Sequence, residues 1–435
     1  MTILRKEKNK TMKKIENTLA KEKIYTCQLD NGLNVIVVPK KGFAKKYVIW
    51  STHYGSIDNS FIVPGETSVT KVPDGIAHFL EHKLFEQENG TNSLDVLTTL
   101  GASANAYTSF NHTAYLFEAT DNFEASLDEL MDYVQNPYFT DENVEKEKGI
   151  IAQEIRMYDD SPEWQVYMRF LEAAYHNLPI NKDIAGTVES ISKIDKEVLY
   201  KCYNTFYHPS NMVIVFAGDF EENEVKNMIE SRLKSKDKQS AIQRIFEDEP
   251  KEVKTKRTEK KMEVSMPLFI LGYKDSNRAD EEEIVKRHVA IEILLELIAG
   301  KSSKLYQKLY EEGLLISELE LDYDFEDKYA HITIGGQSKD PDEVIRQIKI
   351  KISEYIKNGI NQNDYERIKK MLHGEYIKQF NDVGKIAHMY VSDFFKGINS
   401  LDYLTAYESA DISYTEKILS EVFDEERSVI SIINN

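Results

Sequence analysis

The residues best suited to chemistry lie in one short segment, where His78, Glu81 and His82 form the pattern His-x-x-Glu-His. On a helix, which turns about 100° per residue, His82 lies about 40° and Glu81 about 60° from His78, so the three share one arc. The opposite arc of that helix is apolar and carries Ile76, Ala77, Leu80 and Leu84. The pattern predicts an amphipathic helix whose front bears two imidazoles and one carboxylate.

Two histidines one turn apart can bind one zinc ion, with zinc–nitrogen bonds of ~2.0–2.1 Å. The carboxylate beside them can take a proton from the attacking water of a hydrolysis. The sequence therefore predicts a hydrolytic zinc site with His78 and His82 as ligands and Glu81 as general base. The alternative is a pair of histidines that are hydrogen-bonded on a helix surface, because the motif alone is only moderately specific.

A catalytic zinc ion needs a third protein ligand and keeps one open position. Glu154 is the strongest candidate for that ligand. On a helix its neighbours are Ile150, Ile151 and Ile155. An unpaired carboxylate is costly in such an apolar stripe, so a cation is expected beside it. Glu147, two turns earlier on nearly the same face, is predicted to orient a ligand or water. A solvated charge is the open alternative for both.

The elements that must position these residues follow from turn signals and periodicity. Around the motif we expect a helix from Asp74 to about Glu88, a helix at 91–100, two strands within 101–120 that turn near Asn111, and helices at 122–135 and 141–158. Strands are expected at 33–39, 46–54 and 212–218. The second half is expected to hold strands at 267–273, 319–325 and 331–336 and helices at 281–299, 341–358 and 361–380.

The two halves of the chain show a similar order of elements, and one local match is concrete. Val144–Glu154 aligns without gaps with Tyr365–Glu375. Two ordinary amphipathic helices are the alternative explanation of the match, and a true repeat would make the chain a duplicated α+β module. The predicted organisation is a basic N-terminal extension at 1–22, a zinc-binding domain at 23–232, a charged linker at 233–262 and a second homologous domain without the zinc motif at 263–435. Residues 1–22 are expected to form a solvated helix or a frayed tail.

The amino-acid composition limits the classes of molecule that this protein is expected to bind. The 435 residues include 55 Lys and Arg against 74 Asp and Glu, a net charge of −19. This balance argues against nucleic-acid binding and is compatible with neutral or cationic peptides. No apolar run is long enough for a membrane helix, so no membrane partner is expected. Cys27 and Cys202 belong to no CxxC pair, which excludes a cysteine zinc ribbon and favours a reducing, cytoplasmic location.

The motif His78-x-x-Glu81-His82, combined with Glu154 in the segment Glu147–Met157, resembles the pitrilysin/insulinase family of zinc peptidases, the inverzincins. Phe206–Met212, which leads into a strand that ends Ala217-Gly-Asp219, resembles the end of a domain in that family. The segments Tyr54–Asp58, Val72–Glu86 and Gly149–Glu154 resemble a YmfH-like bacterial subgroup of the family. The resemblance extends along most of the chain.

The resemblance implies a fold and a site. It implies an α+β chain of two homologous domains, each a mainly antiparallel sheet covered by helices. It also implies one zinc ion per chain, held by His78, His82 and Glu154, with Glu81 as the general base and Glu147 as a supporting catalytic residue. Two such chains, or a linked pair, would close around a peptide substrate.

The resemblance also implies a substrate-binding edge strand within 101–109. An extended peptide can pair with such an edge through main-chain hydrogen bonds, which leaves sequence preference loose. Asn105, Ala106, Tyr107 and Thr108 are therefore expected to contact the peptide. Packing of these residues in an ordinary hairpin is the alternative.

One departure from the family pattern bears on partners. Active members carry an Arg and, seven residues later, a Tyr that hold substrate and stabilise the developing oxyanion. The matching positions here read Leu309 and Ile316, and Tyr310 is out of register. We therefore expect a homologous partner chain to supply the missing pair in a heterodimer, with a homodimer as the alternative. The predicted function is a zinc endopeptidase for short or unfolded peptides, and the alternative is a non-catalytic scaffold subunit.

Overall fold

A computed structural model describes residues 12–235, 237–276 and 283–435 and shows an α+β chain. The strands are β1 (Lys13–Asn17), β2 (Glu22–Gln28), β3 (Asn34–Pro39), β4 (Lys46–Thr52), β5 (Ser60–Ile62), β6 (Val69–Lys71), β7 (Ser103–Thr108), β8 (Thr113–Ala119), β9 (Met212–Gly218), β10 (Gln243–Arg244), β11 (Arg257–Lys261), β12 (Leu268–Lys274), β13 (Glu320–Phe325), β14 (Ala330–Gln337) and β15 (Ser428–Asn434). The helices are α1 (Ile76–Leu84), α2 (Ser93–Thr99), α3 (Phe123–Gln135), α4 (Asp141–Asp159), α5 (Pro162–Ala174), α6 (Val188–Ile191), α7 (Lys196–Phe206), α8 (Glu222–Arg232), α9 (Ile284–Ala299), α10 (Lys304–Glu311), α11 (Pro341–Asn358), α12 (Gln362–Gln379), α13 (Val383–Lys396), α14 (Asp402–Ser409) and α15 (Ile412–Val422).

The chain forms two compact units, and each has its own sheet. The described residues of the first unit lie within 12–155, 183–246 and 378–400, and those of the second within 156–182, 247–377 and 401–435. The first unit contains a 7-stranded sheet in the order β1-β2-β3-β9-β4-β8-β7 and a small 3-stranded sheet in the order β10-β5-β6. The second unit contains a 5-stranded sheet in the order β11-β15-β12-β14-β13.

The two main sheets repeat one topology. In the first unit, β3 is parallel to β9, and the pairs β9–β4, β4–β8 and β8–β7 are antiparallel. In the second unit, β11 is parallel to β15, and the pairs β15–β12, β12–β14 and β14–β13 are antiparallel. The second helix after β8 is α4, and the second helix after β14 is α12, which are the helices aligned by the sequence repeat. The prediction of two mainly antiparallel α+β domains is confirmed.

Helices cover both faces of the first sheet. Successive residues of a strand point to opposite faces, so a central strand covered on both sides is apolar throughout. Strand β9 is buried at every position. One face packs into the main core through Val35, Val37, Val48, Trp50, Tyr115, Phe117, Ile214 and Phe216. Helix α13 packs against the other face at β4 and β9.

The compact units differ from the continuous segments 23–232 and 263–435 at two helices. Helix α5 lies in the first segment but packs on β12 and β15 of the second sheet, whereas α13 lies in the second segment but packs on the first sheet. The physical reason is that each sheet has a second apolar face that must be covered. Ile49, Val213 and Val215 are fully buried and lie on the face of the first sheet away from Trp50.

Two segments that were predicted to be an extension and a linker contain strands. Residues 13–17 form strand β1, antiparallel to β2, instead of a solvated helix or frayed tail. The remainder of that prediction, residues 1–11, lies outside the described residues. The charged linker at 233–262 contributes β10, paired with β5, and β11, paired with β15.

In the described part of the chain, no helix combines the length and apolar character needed to cross a membrane.

Helix α1, which carries the motif, is shorter than expected at both ends. Its N-cap is Gly75, and Asp74 accepts instead a hydrogen bond from Asn59 Nδ2 at 3.0 Å. The helix ends at Leu84, because residues 86–92 form a turn closed by the bridge between Glu86 and Asn92. The four predicted boundaries of α3 and α4 agree with the structure to within one residue.

The start of α1 is held by close packing of two glycines. Gly75 has φ +90, and a Cβ there would lie 2.3 Å from the carbonyl oxygen of Ala185. Gly186 has φ +75, and a Cβ there would lie 2.5 Å from the carbonyl oxygen of Asp74. Only glycine fits such a left-handed conformation against a neighbouring backbone. The segment at 183–186 therefore fixes where the motif helix begins.

We predict that Gly75→Ala destabilises the first unit more than Gly90→Ala. Both glycines have positive φ, so both variants acquire backbone strain of about 1–3 kcal/mol. Only Gly75 has backbone atoms in the space of the new Cβ, whereas Gly90 has nothing within 4 Å. Differential scanning calorimetry should show a larger fall in Tm for Gly75→Ala. Equal falls in Tm would show that the contact with Ala185 does not constrain α1.

Candidate metal centre

Helix α1 presents both histidines of the motif to one point. The apolar arc of α1 is fully or almost fully buried, as the sequence predicted, with Ile76, Ala77, Leu80 and Leu84 each 3% exposed or less. The opposite arc places the rings of His78 and His82 with centroids 4.6 Å apart. Burial of one side of the helix therefore orients the other side, and with it both imidazoles.

Helix α4 brings the third predicted ligand to the same point. Glu154 Oε1 lies 3.5 Å from His78 Nε2, and Glu154 Oε2 lies 3.3 Å from His82 Nε2. One donor atom from each of the three side chains lies within 4.8 Å of the other two. Among the residues that the structure describes, these three form the one group of His, Cys, Asp or Glu side chains with this geometry.

The donor set fits a zinc ion. Tetrahedral coordination with bonds of ~2.0–2.1 Å places ligand atoms about 3.3–3.4 Å apart. The separations of 3.5 Å from His78 Nε2 to Glu154 Oε1 and 3.3 Å from His82 Nε2 to Glu154 Oε2 are close to that spacing, each at a different oxygen of the carboxylate. Two imidazole nitrogens and one carboxylate oxygen are also a common set of three zinc ligands that leaves a fourth position open. Geometry and ligand chemistry therefore agree at His78, His82 and Glu154.

Glu147 lies behind this group and contacts one of the histidines. His82 Nδ1 donates a hydrogen bond to Glu147 Oε1 at 3.0 Å, so the Nε2 atom of the same ring turns toward Glu154. Burial acts to raise the pKa of the Glu147 carboxyl, but His82 and Lys83 hold this pKa below its usual range. Glu147 is thus a buried carboxylate that orients an imidazole, which is the geometry that supports metal-ligating histidines.

Glu81 is buried beside the two histidines and is held by a threonine. The hydroxyl of Thr108 donates to Glu81 Oε2 at 2.6 Å. Burial raises the pKa of Glu81, although His78 and the hydrogen bond from Thr108 act in the opposite direction. A carboxyl with a raised pKa is a better proton acceptor, which suits a general base.

The surroundings of Glu154 are less apolar than the helical pattern predicted. Ile151 and Ile155 are buried, but Ile150 is 45% exposed. The Glu154 side chain itself is 23% exposed. The carboxylate therefore lies at the edge of the apolar stripe, where its oxygens reach both the imidazoles and the solvent.

The segment expected to contact peptide forms β7, at one end of the 7-stranded sheet. In the described residues β7 pairs on one side only, with β8. Asn105 is exposed, and its Oδ1 accepts a hydrogen bond from the Ala106 amide at 2.9 Å. The hydroxyl of Tyr107 lies 3.1 Å from His112 Nε2 and 3.2 Å from His388 Nδ1. Peptide contact by these residues and Thr108 stays a prediction.

Several site contacts were missed by sequence reasoning. Thr108 was predicted to contact substrate, yet its hydroxyl is bonded to Glu81. His388 of α13, which contacts Tyr107, and Lys83, which contacts Glu147, were not predicted at all. Period-2 alternation could have separated Thr108 from Tyr107, because neighbours on a strand face opposite sides. No sequence signal points to His388.

The two positions that depart from the family pattern lie in the second unit. Leu309 is fully buried on α10, whereas Ile316, after the end of that helix, is 60% exposed. Tyr310 is 56% exposed. Leu309 is therefore a packing residue, and neither Leu309 nor Ile316 has a side-chain group that can donate a hydrogen bond.

Comparison with known proteins assigns the family. Residues 62–188 match the insulinase family, peptidase family M16, and residues 193–372 match the domain described as the peptidase M16 inactive domain. The chain is 40% identical over 424 residues to the uncharacterized zinc protease YmfH of Bacillus subtilis, with 96% of this chain and 98% of the relative covered. The chain therefore belongs to the insulinase family of peptidases, and the resemblance predicted from the motif is confirmed.

Solved structures agree with this assignment. An M16-like peptidase from Alicyclobacillus acidocaldarius superposes with a TM-score of 0.91 at 34% identity, covering 97% of this chain and 99% of the other. A protease from Helicobacter pylori has a TM-score of 0.82 at 21% identity, with 95% and 100% coverage, and shows the same fold. Among the relatives that the chain matches along nearly their whole length is thus the uncharacterized zinc protease YmfH.

We predict that zinc binding releases a proton from His82. Burial acts to lower the pKa of His82, but hydrogen bonds to Glu147 and Glu154 raise it to about 10. The metal-free imidazole is therefore protonated at neutral pH, and zinc must displace that proton. Apparent zinc affinity should rise about tenfold per pH unit between about pH 6 and 8. Isothermal titration calorimetry in buffers of different ionisation enthalpy measures the proton count.

The control is Glu147→Gln, which removes one of the two carboxylates that raise the pKa of His82. This variant should release less than one proton at the upper end of the pH range. Zinc binding without proton release by the unmodified protein would contradict the placement of His82 between Glu147 and Glu154.

Proposed function

We propose that this protein is a zinc-dependent peptidase that hydrolyses short or unfolded peptides. The convergence of His78, His82 and Glu154 carries the proposal, because these residues offer three donor atoms that lie within 4.8 Å of one another. The neighbouring carboxylate of Glu81 is the second requirement of a hydrolytic site. Membership of a peptidase family and relatives named zinc proteases support the same function.

Each residue of the site is assigned a role. When bound by His78, His82 and Glu154, zinc would polarise a scissile carbonyl and lower the pKa of the attacking water. Glu81 accepts the proton of that water and later gives it to the leaving amine. Because Thr108 occupies Oε2 of Glu81, Oε1 is the oxygen available for the proton. Glu147 is assigned to hold the ring of His82.

For substrate binding we propose addition of an extended peptide to β7. Only β8 pairs with β7 in the described residues, and Asn105 and Ala106 lie at this edge. A peptide pairing there would compete with Asn105 Oδ1 for the amide of Ala106. Tyr107 and Thr108 would support the strand, since their hydroxyls are engaged with His388 and Glu81. Main-chain pairing favours unfolded substrates over folded ones.

We predict that Glu81→Gln abolishes hydrolysis and leaves metal content unchanged. Loss of the proton acceptor should lower kcat by at least ~10²–10⁴-fold. Glu81 is not assigned as a ligand, so zinc stoichiometry by mass spectrometry should match that of the unmodified protein. Peptide turnover is measured with quenched fluorescent peptides, with and without a chelator.

Glu145→Gln is the matched control, because Glu145 lies on the exposed side of α4 and its side chain is 68% exposed. This variant should turn over peptides normally. Full zinc content with undiminished turnover in Glu81→Gln would rule out Glu81 as the general base.

We also propose that a homologous partner chain completes the site in a heterodimer. Leu309 and Ile316 cannot donate the hydrogen bonds that an oxyanion needs, so a donor must come from elsewhere. We expect weak peptidase activity from the protein alone and at least a tenfold gain on co-expression with a homologue that carries an Arg and a Tyr seven residues apart. Full activity from a purified homodimer would contradict the heterodimer.

Because Cys27 and Cys202 are both free and buried, a cytoplasmic location remains part of the proposal.

A non-catalytic subunit is the second candidate function. Leu309 and Ile316, and the match of residues 193–372 to a domain described as inactive, favour it. The complete donor set at His78, His82 and Glu154 favours the peptidase. Metal analysis separates the two, because a purely structural subunit has no need of stoichiometric zinc.

A further inference from the structure

A fully buried lysine lies directly beside the candidate metal centre. Lys83 follows His82 on α1, and its side chain is 0% exposed. It occupies the arc of the helix that packs into the core, together with Ile76 and Leu80. Lysine is almost never fully buried unless it is paired, because removing an ammonium group from water is expensive. The groups that pair with the Lys83 ammonium therefore indicate the role of its charge.

The ammonium group of Lys83 contacts two carboxylates. It forms an ion pair with Glu86, one turn later on the chain, whose side chain is 36% exposed. Its Nζ atom also lies 3.6 Å from Glu147 Oε2. Glu86 retains access to water, whereas the side chain of Glu147 is only 12% exposed. The charge of Glu147 therefore depends more on Lys83 for compensation than the charge of Glu86 does.

The two oxygens of Glu147 face different groups. Oε1 accepts the hydrogen bond from His82 Nδ1 at 3.0 Å, and Oε2 faces Lys83. A contact at each oxygen fixes both the position and the rotation of the carboxylate. The ammonium group, the carboxylate and the imidazole thus form a continuous chain that ends at the Nε2 atom facing Glu154.

The second histidine of the motif has no such support. The Nδ1 atom of His78 is buried and has no hydrogen-bond partner among the described residues. Of the two imidazoles, only His82 is oriented through its Nδ1 atom by a carboxylate. Disturbing Glu147 should therefore affect metal binding through His82 and not through His78.

We propose that Lys83 is a positioning residue that fixes Glu147 and, through it, the orientation of His82 and the affinity for zinc. This inference rests on the metal centre of the proposed function. Lys83 does not touch the metal position or the substrate. Its effect is transmitted by one carboxylate, and partners of this kind typically change metal affinity by about 10–100-fold.

The test measures zinc affinity by chelator competition and zinc release by stopped flow, independently of activity. Lys83→Met keeps an unbranched side chain without the charge, and should weaken zinc binding by about 10–100-fold, with faster release. Lys83→Arg keeps the charge and should restore most of the affinity. Lys193→Met is the control, because Lys193 pairs with Glu189 on the surface and is 63% exposed. That variant should bind zinc normally.

A double variant separates positioning from loss of fold. Lys83→Met combined with Glu147→Gln removes both buried charges. If Lys83 acts through Glu147, the double variant should bind zinc no more weakly than Glu147→Gln alone. Its circular dichroism spectrum verifies that it is folded.

Three results would overturn the proposal. Normal zinc affinity in Lys83→Met would overturn this inference and leave the metal centre intact. Additive losses in the double variant would show that Lys83 acts by another route. Failure of the unmodified protein to bind zinc would overturn the inference together with the proposed function.

Discussion

The site depends on keeping three carboxylates and two imidazoles close together in a largely buried place. Glu147 and Glu154 of α4 lie beside the histidines of α1, where Glu81 is also buried, and Lys83 provides one positive charge among these carboxylates. Carboxylates brought together away from water repel each other, and each would become protonated unless a cation compensated it. In the metal-free protein, a proton on His82 meets part of this need. A divalent cation would meet it better, which is the physical basis of the proposed metal centre.

The fold meets this requirement in one unit and not in the other. Both sheets share one topology, and α12 follows β14 as α4 follows β8. Glu375 of α12 even aligns with Glu154 in the sequence repeat. However, α9 carries a single histidine, His288, and no His-x-x-Glu-His pattern. The same backbone framework therefore carries the candidate metal ligands only in the unit whose helix supplies two imidazoles.

Helical periodicity made the candidate metal ligands predictable from the sequence. The ligand set came from spacing on α1 and from the apolar neighbours of Glu154, since both effects are local to one helix. The contact of Thr108 with Glu81 and that of Lys83 with Glu147 were not predictable in this way. They join residues 27 and 64 positions apart, counted from their numbers, and depend on how α1 packs against β7 and α4. The packing of α5 on the second sheet and of α13 on the first sheet could not be predicted either. Apolar periodicity shows that a helix is buried but not which sheet it covers.

The sequence by itself determined which residues could do chemistry, since two imidazoles and a carboxylate on one arc of a short helix follow from their spacing alone. It also indicated the duplicated α+β architecture, because strand and helix patterns recur in a similar order in both halves and the family resemblance implies the same fold. Tertiary structure alone decided which oxygen of Glu147 meets His82, which oxygen of Glu81 accepts the hydrogen bond from Thr108, and which carboxylates pair with a buried lysine. Those choices depend on distances between elements far apart in the chain, and a pattern along one dimension does not contain them.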